Sequence, residues 1–145
     1  AALAFRDFFS AGVSSFGIGD LTGFDLETHK FESRYTERLV GPWPETRELW
    51  LERSPILHVD RMSAPMLILQ GLDDKVVPPS QAEQIVAGLA AKGIPHAYLA
   101  YEGEGHGFRK LENIRRSYEA ELSFYGQVFG FTPADDLPPL ELVRG

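Results

Sequence analysis

Residues Pro65 to Gln70 form a nearly continuous apolar run of strand length, stopped by Gly71. A strand that is apolar at successive positions needs cover on both faces, which suits the interior of a parallel sheet. This one delivers an acidic turn, Leu72-Asp73-Asp74-Lys75-Val76-Val77-Pro78. A second strand, His96 to Glu102, delivers the turn Gly103-Glu104-Gly105-His106-Gly107-Phe108. Between the two lies a helix. Ser80-Gln81-Ala82-Glu83 reads as a capping box, Ala82, Ile85, Val86 and Leu89 fall on one face, and Gly93 supplies the stop. Strand, helix and strand in this order make a right-handed crossover with parallel neighbours.

The flanking chain extends the same pattern. Residues 1–9 read as the last turns of a helix, with Leu3, Ala4 and Phe8 at helical spacing and Phe5 and Phe9 widening the face. Residues 11–17 form a short strand bounded by glycines, and Gly19 to Gly23 reads as loop. Residues 24–62, rich in charge, aromatics and proline, are an excursion between core strands. It holds helices over Glu27–Arg38 and Thr46–Arg53, the break Gly41-Pro42-Trp43-Pro44, and a third helix opened by Ser54-Pro55. Leu111 to Phe129 is the clearest helix: Leu111, Ile114, Tyr118, Leu122, Tyr125 and Phe129 step down one stripe, and Gly130 stops it. The whole order is α/β, with helices on the faces of a parallel sheet. In such sheets chemistry gathers at the carboxyl ends of the strands, where both turns lie.

Composition narrows the partners. A chain of 145 residues buries roughly two thirds of its unfolded surface, enough for one domain. The net charge of −7 argues against nucleic acid, and no apolar run is long enough to span a membrane. The absence of cysteine excludes a disulfide scaffold, a thiolate metal site and a cysteine nucleophile. No pair among His29, His58 and His96 has zinc spacing, so no metal or cofactor is expected.

Asp73 or Asp74 at one strand end and His106 at the next reproduce the order Asp…His of a Ser-His-Asp triad. Glycines flank His106 and let its loop fold tightly with the imidazole aimed into a cleft. The nucleophile is missing. Gly12-Val13-Ser14-Ser15-Phe16 has Phe where Gly-x-Ser-x-Gly needs its second Gly, and no elbow helix follows, so Ser14 and Ser15 are rejected. Trp43, Phe31 and Tyr35 are candidates to line a pocket, or simply cover for the core.

From Ala1 to Phe131 the sequence resembles the C-terminal part of the catalytic domain of the prolyl oligopeptidase family of serine peptidases. The subgroup it looks most like contains acylaminoacyl peptidases and dipeptidyl aminopeptidases. The resemblance is carried by Gly71-Leu72-Asp73-Asp74-Lys75-Val76-Val77-Pro78 and Glu104-Gly105-His106-Gly107-Phe108, supported by residues 28–35 and Ser54-Pro55-Ile56. It implies an α/β-hydrolase fold with the front half of the sheet missing. It implies Asp74, rather than Asp73, as the triad acid, His106 as general base, and Val77 as a residue of the specificity pocket. It places the serine several residues before Ala1 and leaves residues 132–145 as a Pro- and Asp-rich tail.

The expectation is therefore part of a cytoplasmic aminopeptidase or oligopeptidase acting on short peptides. An esterase on the same fold would use the same Asp and His. A non-catalytic module that assembles through an exposed strand edge is the remaining alternative, because the strand near Val13 lacks an inner neighbour. That edge would be met by the N-terminal part of the same protein or by a second copy.

Overall fold

The apolar run is the middle strand of a three-stranded parallel sheet in the computed structural model, which describes residues 2–27 and 35–144. β1 is Gly12–Ser15, β2 is Met66–Gly71 and β3 is His96–Tyr101, in spatial order β1-β2-β3. Val13 stands beside Leu67, and Leu67 beside Ala97. Every residue of β2 is buried, because its alternate side chains enter two cores. Met66 and Ile68 join Ala82, Ile85 and Leu89 of helix α5 (Pro79–Ala91) on one face. Leu67 and Leu69 join Ala120 and Phe124 of helix α6 (Leu111–Phe129) on the other. The α/β reading and the parallel order hold.

Several local expectations change. The first helix, α1, is only Ala2–Phe5. Ala4 is buried, but Phe8 and Phe9 are exposed and pack edge-to-face on each other, so nothing prolongs the apolar face. The expected loop at Gly19 to Gly23 instead starts helix α2, Leu21–Glu27. The Asp20 carboxylate accepts from the Thr22 amide at 2.9 Å and the Thr22 hydroxyl at 2.7 Å, a cap that outweighs the helix-weakening Gly23. Residues 28–34, which include His29, Phe31, Arg34 and most of the helix expected over Glu27–Arg38, lie outside the described residues. The chain resumes in helix α3, Tyr35–Val40, followed by α4, Arg47–Arg53.

Ser54 does other work than capping, and Ser80 lies inside its helix. Pro55–Arg61 is a 3-10 helix with proline in its first turn, as expected, but the Ser54 hydroxyl donates to Trp50 O at 2.8 Å and accepts from the Leu21 amide at 3.0 Å. It stitches α4 to α2. Helix α5 begins at Pro79 with Pro78 ahead of it, so Ser80 is already inside the helix and no capping box forms. Proline's fixed φ and missing N–H make Pro79 the better first residue. Gln81 uses its buried side chain elsewhere, accepting from the Gly19 and Asp20 amides at 3.0 and 2.8 Å.

Helix α6 has the expected bounds and the wrong face inward. Leu111, Tyr118, Leu122 and Phe129 are 40–77% exposed, whereas Ser117, Ala120, Phe124 and Gly126 are buried. Small residues let the helix axis approach the sheet, and Phe124 fills the space they leave. Beyond α6 the chain returns to the sheet: Leu140 is buried in the α6-side core, and Val143 pairs with His96 along the outer edge of β3. On the opposite side β1 pairs only with β2 among the described residues. No helix among them is long and apolar enough to cross a membrane.

Phe124→Ala tests the α6-side core. Loss of a fully buried ring costs about 3–5 kcal/mol, and a denaturant midpoint lowered accordingly is the expected result. A midpoint equal to the parent's would show that the α6-side packing is not as described.

Candidate active site

Two backbone turns meet at the carboxyl ends of β2 and β3. The Leu72 amide donates to Tyr101 O at 3.0 Å and the Asp73 amide to Glu104 O at 2.8 Å. The contact is close because Gly71 has no side chain: a Cβ there would stand 2.4 Å from Gly105 O and 2.5 Å from Glu104 O. Gly71→Ala must therefore push the two turns apart. Overpacking of this kind costs about 1–3 kcal/mol, and displacement of a catalytic group by roughly 1 Å costs about 10²-fold in rate. A denaturant midpoint and a turnover number indistinguishable from the parent's would contradict this packing.

The acidic turn separates its two carboxylates. Asp73 is exposed, whereas the Asp74 side chain is fully buried. Asp74 Oδ1 accepts from the Val76 and Val77 amides, both at 2.8 Å, so the turn folds around its own carboxylate. Gln70, the one polar side chain in β2, donates from Nε2 to Val77 O at 3.0 Å and Gly71 O at 3.1 Å, and comes within 3.5 Å of Asp74 Oδ2. Val77 is buried beside the acid, its backbone bonded at both ends of this small network.

His106 sits at the tip of a tight turn. Gly105 and Gly107 bridge across it, and Gly107 has φ +106°, a conformation that favours glycine. The imidazole Nδ1–H donates to Asp74 Oδ2 at 2.9 Å. The ring is 43% exposed, and Nε2 is on the edge turned away from the carboxylate. Phe16, at the end of β1, packs its ring 5.1 Å from the imidazole and 4.8 Å from Phe108. Its backbone is in the left-handed region at φ 55°, which is strained for a residue with a bulky side chain. The residue that spoils the Gly-x-Ser-x-Gly pattern is thus the one that packs on His106.

The structure brings Asp74 and His106 together and sets Val77 against the acid. Among the described residues neither Ser14 nor Ser15 is hydrogen-bonded to His106. Ser15, with Phe16, Phe108, Ile114 and Tyr118, lines an open cleft of about 300 Å³ between β1 and α6. Trp43 stacks edge-on against the buried Trp50, and Tyr35 is exposed. Gln70, Phe16 and Glu104 also belong to the site's surroundings, without any sequence motif that marks them as functional. Glu104 is buried, and its carboxyl is held below the usual glutamate value of 4.5, first by the Asn113 amide and then by the Arg109 and Lys110 backbone N–H groups and the Lys110 charge.

A buried carboxylate that orients an imidazole by Nδ1, leaving Nε2 toward open space, is an arrangement chemically able to accept and return a proton at Nε2. Set at the carboxyl ends of adjacent parallel strands flanked by helices, it defines an α/β-hydrolase fold. The match to known proteins narrows the class. Residues 1–132 match the model of the prolyl oligopeptidase family, and the chain belongs to that family. It is 33% identical over 130 residues to dipeptidyl aminopeptidase BIII of Pseudoxanthomonas mexicana, covering 86% of this chain and 19% of that protein. Its structure superposes on a puromycin-hydrolyzing peptidase of Mycobacterium tuberculosis with a TM-score of 0.94 at 50% identity, over 98% of this chain and 22% of that one. An acylaminoacyl peptidase of Pyrococcus horikoshii shares the fold, with a TM-score of 0.81 at 20% identity over 93% of this chain and 22% of that one. The chain thus spans about a fifth of the length of these relatives.

Proposed function

We propose that this chain supplies the acid and the base of a serine peptidase that cleaves the amide bond of short peptides or aminoacyl amides. The observation that carries the reading is the 2.9 Å hydrogen bond from His106 Nδ1 to the buried Asp74 carboxylate. In this reading a serine on a segment outside the sequence attacks the substrate carbonyl. His106 Nε2 accepts the hydroxyl proton as the Oγ–C bond forms, and Asp74 stabilises the resulting imidazolium. The same proton then passes to the leaving amine as the C–N bond breaks. Water repeats the cycle on the acyl-enzyme and frees the serine.

The open edge of β1 and the exposed apolar side of α6 support a position for that segment. A strand added beside β1 would end next to Phe16, on the side of the sheet where the imidazole is exposed. The similarity to puromycin-hydrolysing and dipeptidyl aminopeptidase relatives supports substrates with a small aminoacyl or dipeptidyl group on the acyl side.

The test uses the full-length polypeptide that carries this sequence. Hydrolysis of aminoacyl p-nitroanilides and puromycin, with stoichiometric labelling by a fluorophosphonate, is the expected result. Hydrolysis of p-nitrophenyl esters with no amide turnover would move the assignment to an esterase. Absence of both activities and of labelling would overturn it.

A further inference from the structure

Glu104 is a buried ionisable side chain that the triad chemistry does not use, and its bonds run to both sides of the site. Only 1% of the residue is exposed. Its Oε2 accepts from the Arg109 amide at 2.8 Å; its Oε1 accepts from the Lys110 amide at 2.9 Å and from Asn113 Nδ2 at 2.8 Å. The carboxylate therefore closes the loop from residue 104 to residue 110 on itself and ties that loop to the first turn of α6. The main chain of the same residue works in the other direction, because Glu104 O accepts from the Asp73 amide at 2.8 Å. His106 lies inside the closed loop, and Asp74 lies one residue beyond the second anchor. The Lys110 side chain lies along the outside of the loop, donating to Glu102 O at 2.9 Å.

We infer that Glu104 is a positioning residue: its carboxylate fixes the His106 loop, and its carbonyl fixes the Asp74 turn, so that one residue sets the separation of imidazole and acid. The chemistry of the bonds requires a carboxylate there. Three N–H groups converge on two oxygens, a demand that an ionised carboxyl meets with acceptors alone. A glutamine of the same shape has one acceptor oxygen and an NH₂ group. Its NH₂ would face the Arg109 amide, or face Lys110 and Asn113, donor against donor in a buried site. The loop can relieve that clash only by moving, and His106 moves with it. Asn113 could turn its Oδ1 toward that NH₂, but the Lys110 backbone N–H on the same oxygen cannot, so one donor still faces a donor.

The inference rests on the peptidase reading, and the experiment separates the two. In the full-length polypeptide, Glu104→Gln is compared with the parent by thermal melt, by steady-state kinetics on an aminoacyl p-nitroanilide, and by NMR of the hydrogen-bonded Nδ1 proton of His106. Asp74→Asn serves as the spectrum without that bond. The expected Glu104→Gln protein is folded, has a broadened or absent Nδ1 proton resonance, and loses about 10- to 100-fold in kcat with KM unchanged within about twofold. A residue that merely stabilised the domain would lower the melt and leave the resonance and kcat of the folded protein at parental values; that result overturns the inference. Should Glu104→Gln fail to fold, Asn113→Ala carries the test. It leaves both backbone bonds to the carboxylate and should shift the same resonance and lower kcat by a few fold, and parental behaviour overturns the inference. A parent with the resonance but without amide hydrolysis would sink the peptidase reading and leave the positioning role to be read from the resonance alone.

Discussion

His106→Ala in the full-length polypeptide is expected to lower kcat on an aminoacyl p-nitroanilide by about 10⁶-fold, with little change in KM. The imidazole stands against a buried carboxylate and is itself partly exposed. On the proposed mechanism, its loss leaves the serine hydroxyl without an acceptor for its proton and the leaving amine without a donor. What survives is the part of catalysis due to binding and to oxyanion donors, which removal of one triad member leaves intact. The loss corresponds to about 8 kcal/mol of barrier. Because the ring is partly exposed at the tip of a glycine-flanked turn, its removal leaves no large cavity, and the melting temperature should stay near the parent's. A variant that retains turnover within tenfold of the parent would sink the assignment of His106 as the base.

The next largest effect is expected from Asp74→Asn, a fall of about 10⁴-fold in kcat. The substitution conserves shape and one acceptor. The asparagine oxygen can keep the two bonds from the Val76 and Val77 amides, so the turn should survive. The amide NH₂ then faces His106 in place of Oδ2. A donor at that position selects the imidazole tautomer with its proton on Nε2, and a protonated Nε2 cannot accept from serine. Imidazole ¹⁵N shifts should report the change of tautomer directly. Asp73→Asn is the matched control. Asp73 is exposed and holds the site only through its backbone, so turnover should stay within about twofold of the parent. Equal losses in the two variants would remove the distinction between the two carboxylates.

The sheet and its helices were legible because their signals were periodic and redundant. β2 was visible from unbroken apolar character, and both cores it enters explain that character. Helix α6 was bounded correctly because periodicity and a terminal glycine agreed; Gly130 takes φ +74° at its end. Its orientation was not legible. The stripe with the most apolar residues was read as the buried one, yet a helix can approach a sheet more closely with Ser117, Ala120 and Gly126 facing inward. Which face wins depends on the partner surface, which a single helix does not encode. Helix α2 was missed because Gly23 diluted its pattern, although Asp20 was a readable cap.

The site shows the same division. An acid after one strand and a histidine after the next could be paired by topology before any distance was known. Gln70 also left a trace, as a polar residue inside a fully apolar strand. The Glu104 carboxylate bonds within nine residues of itself, so that half of its role was local, but a glutamate in a glycine-rich turn reads as solvated until burial is seen. Phe16 left none. Its contact with His106 crosses the sheet from β1, and its left-handed backbone has no sequence signature in a residue that is neither Gly nor Asn.

The two borders of the sheet differ in a way that bears on self-association. At the outer border of β3, Val143 and His96 exchange both backbone hydrogen bonds, at 2.8 and 3.0 Å. The border at β1 has no such partner among the described residues. A fibre grown by stacking copies edge to edge needs two free borders per molecule, one to receive and one to offer. Among the described residues the start of the β3 border is bridged and the β1 border is unpaired. Two copies that met at β1 would pair β1 with β1 about a two-fold axis and consume that border of each. Val143 thereby shields the start of the β3 border, and Val143→Pro, which removes one of the two bonds, is the change expected to expose it.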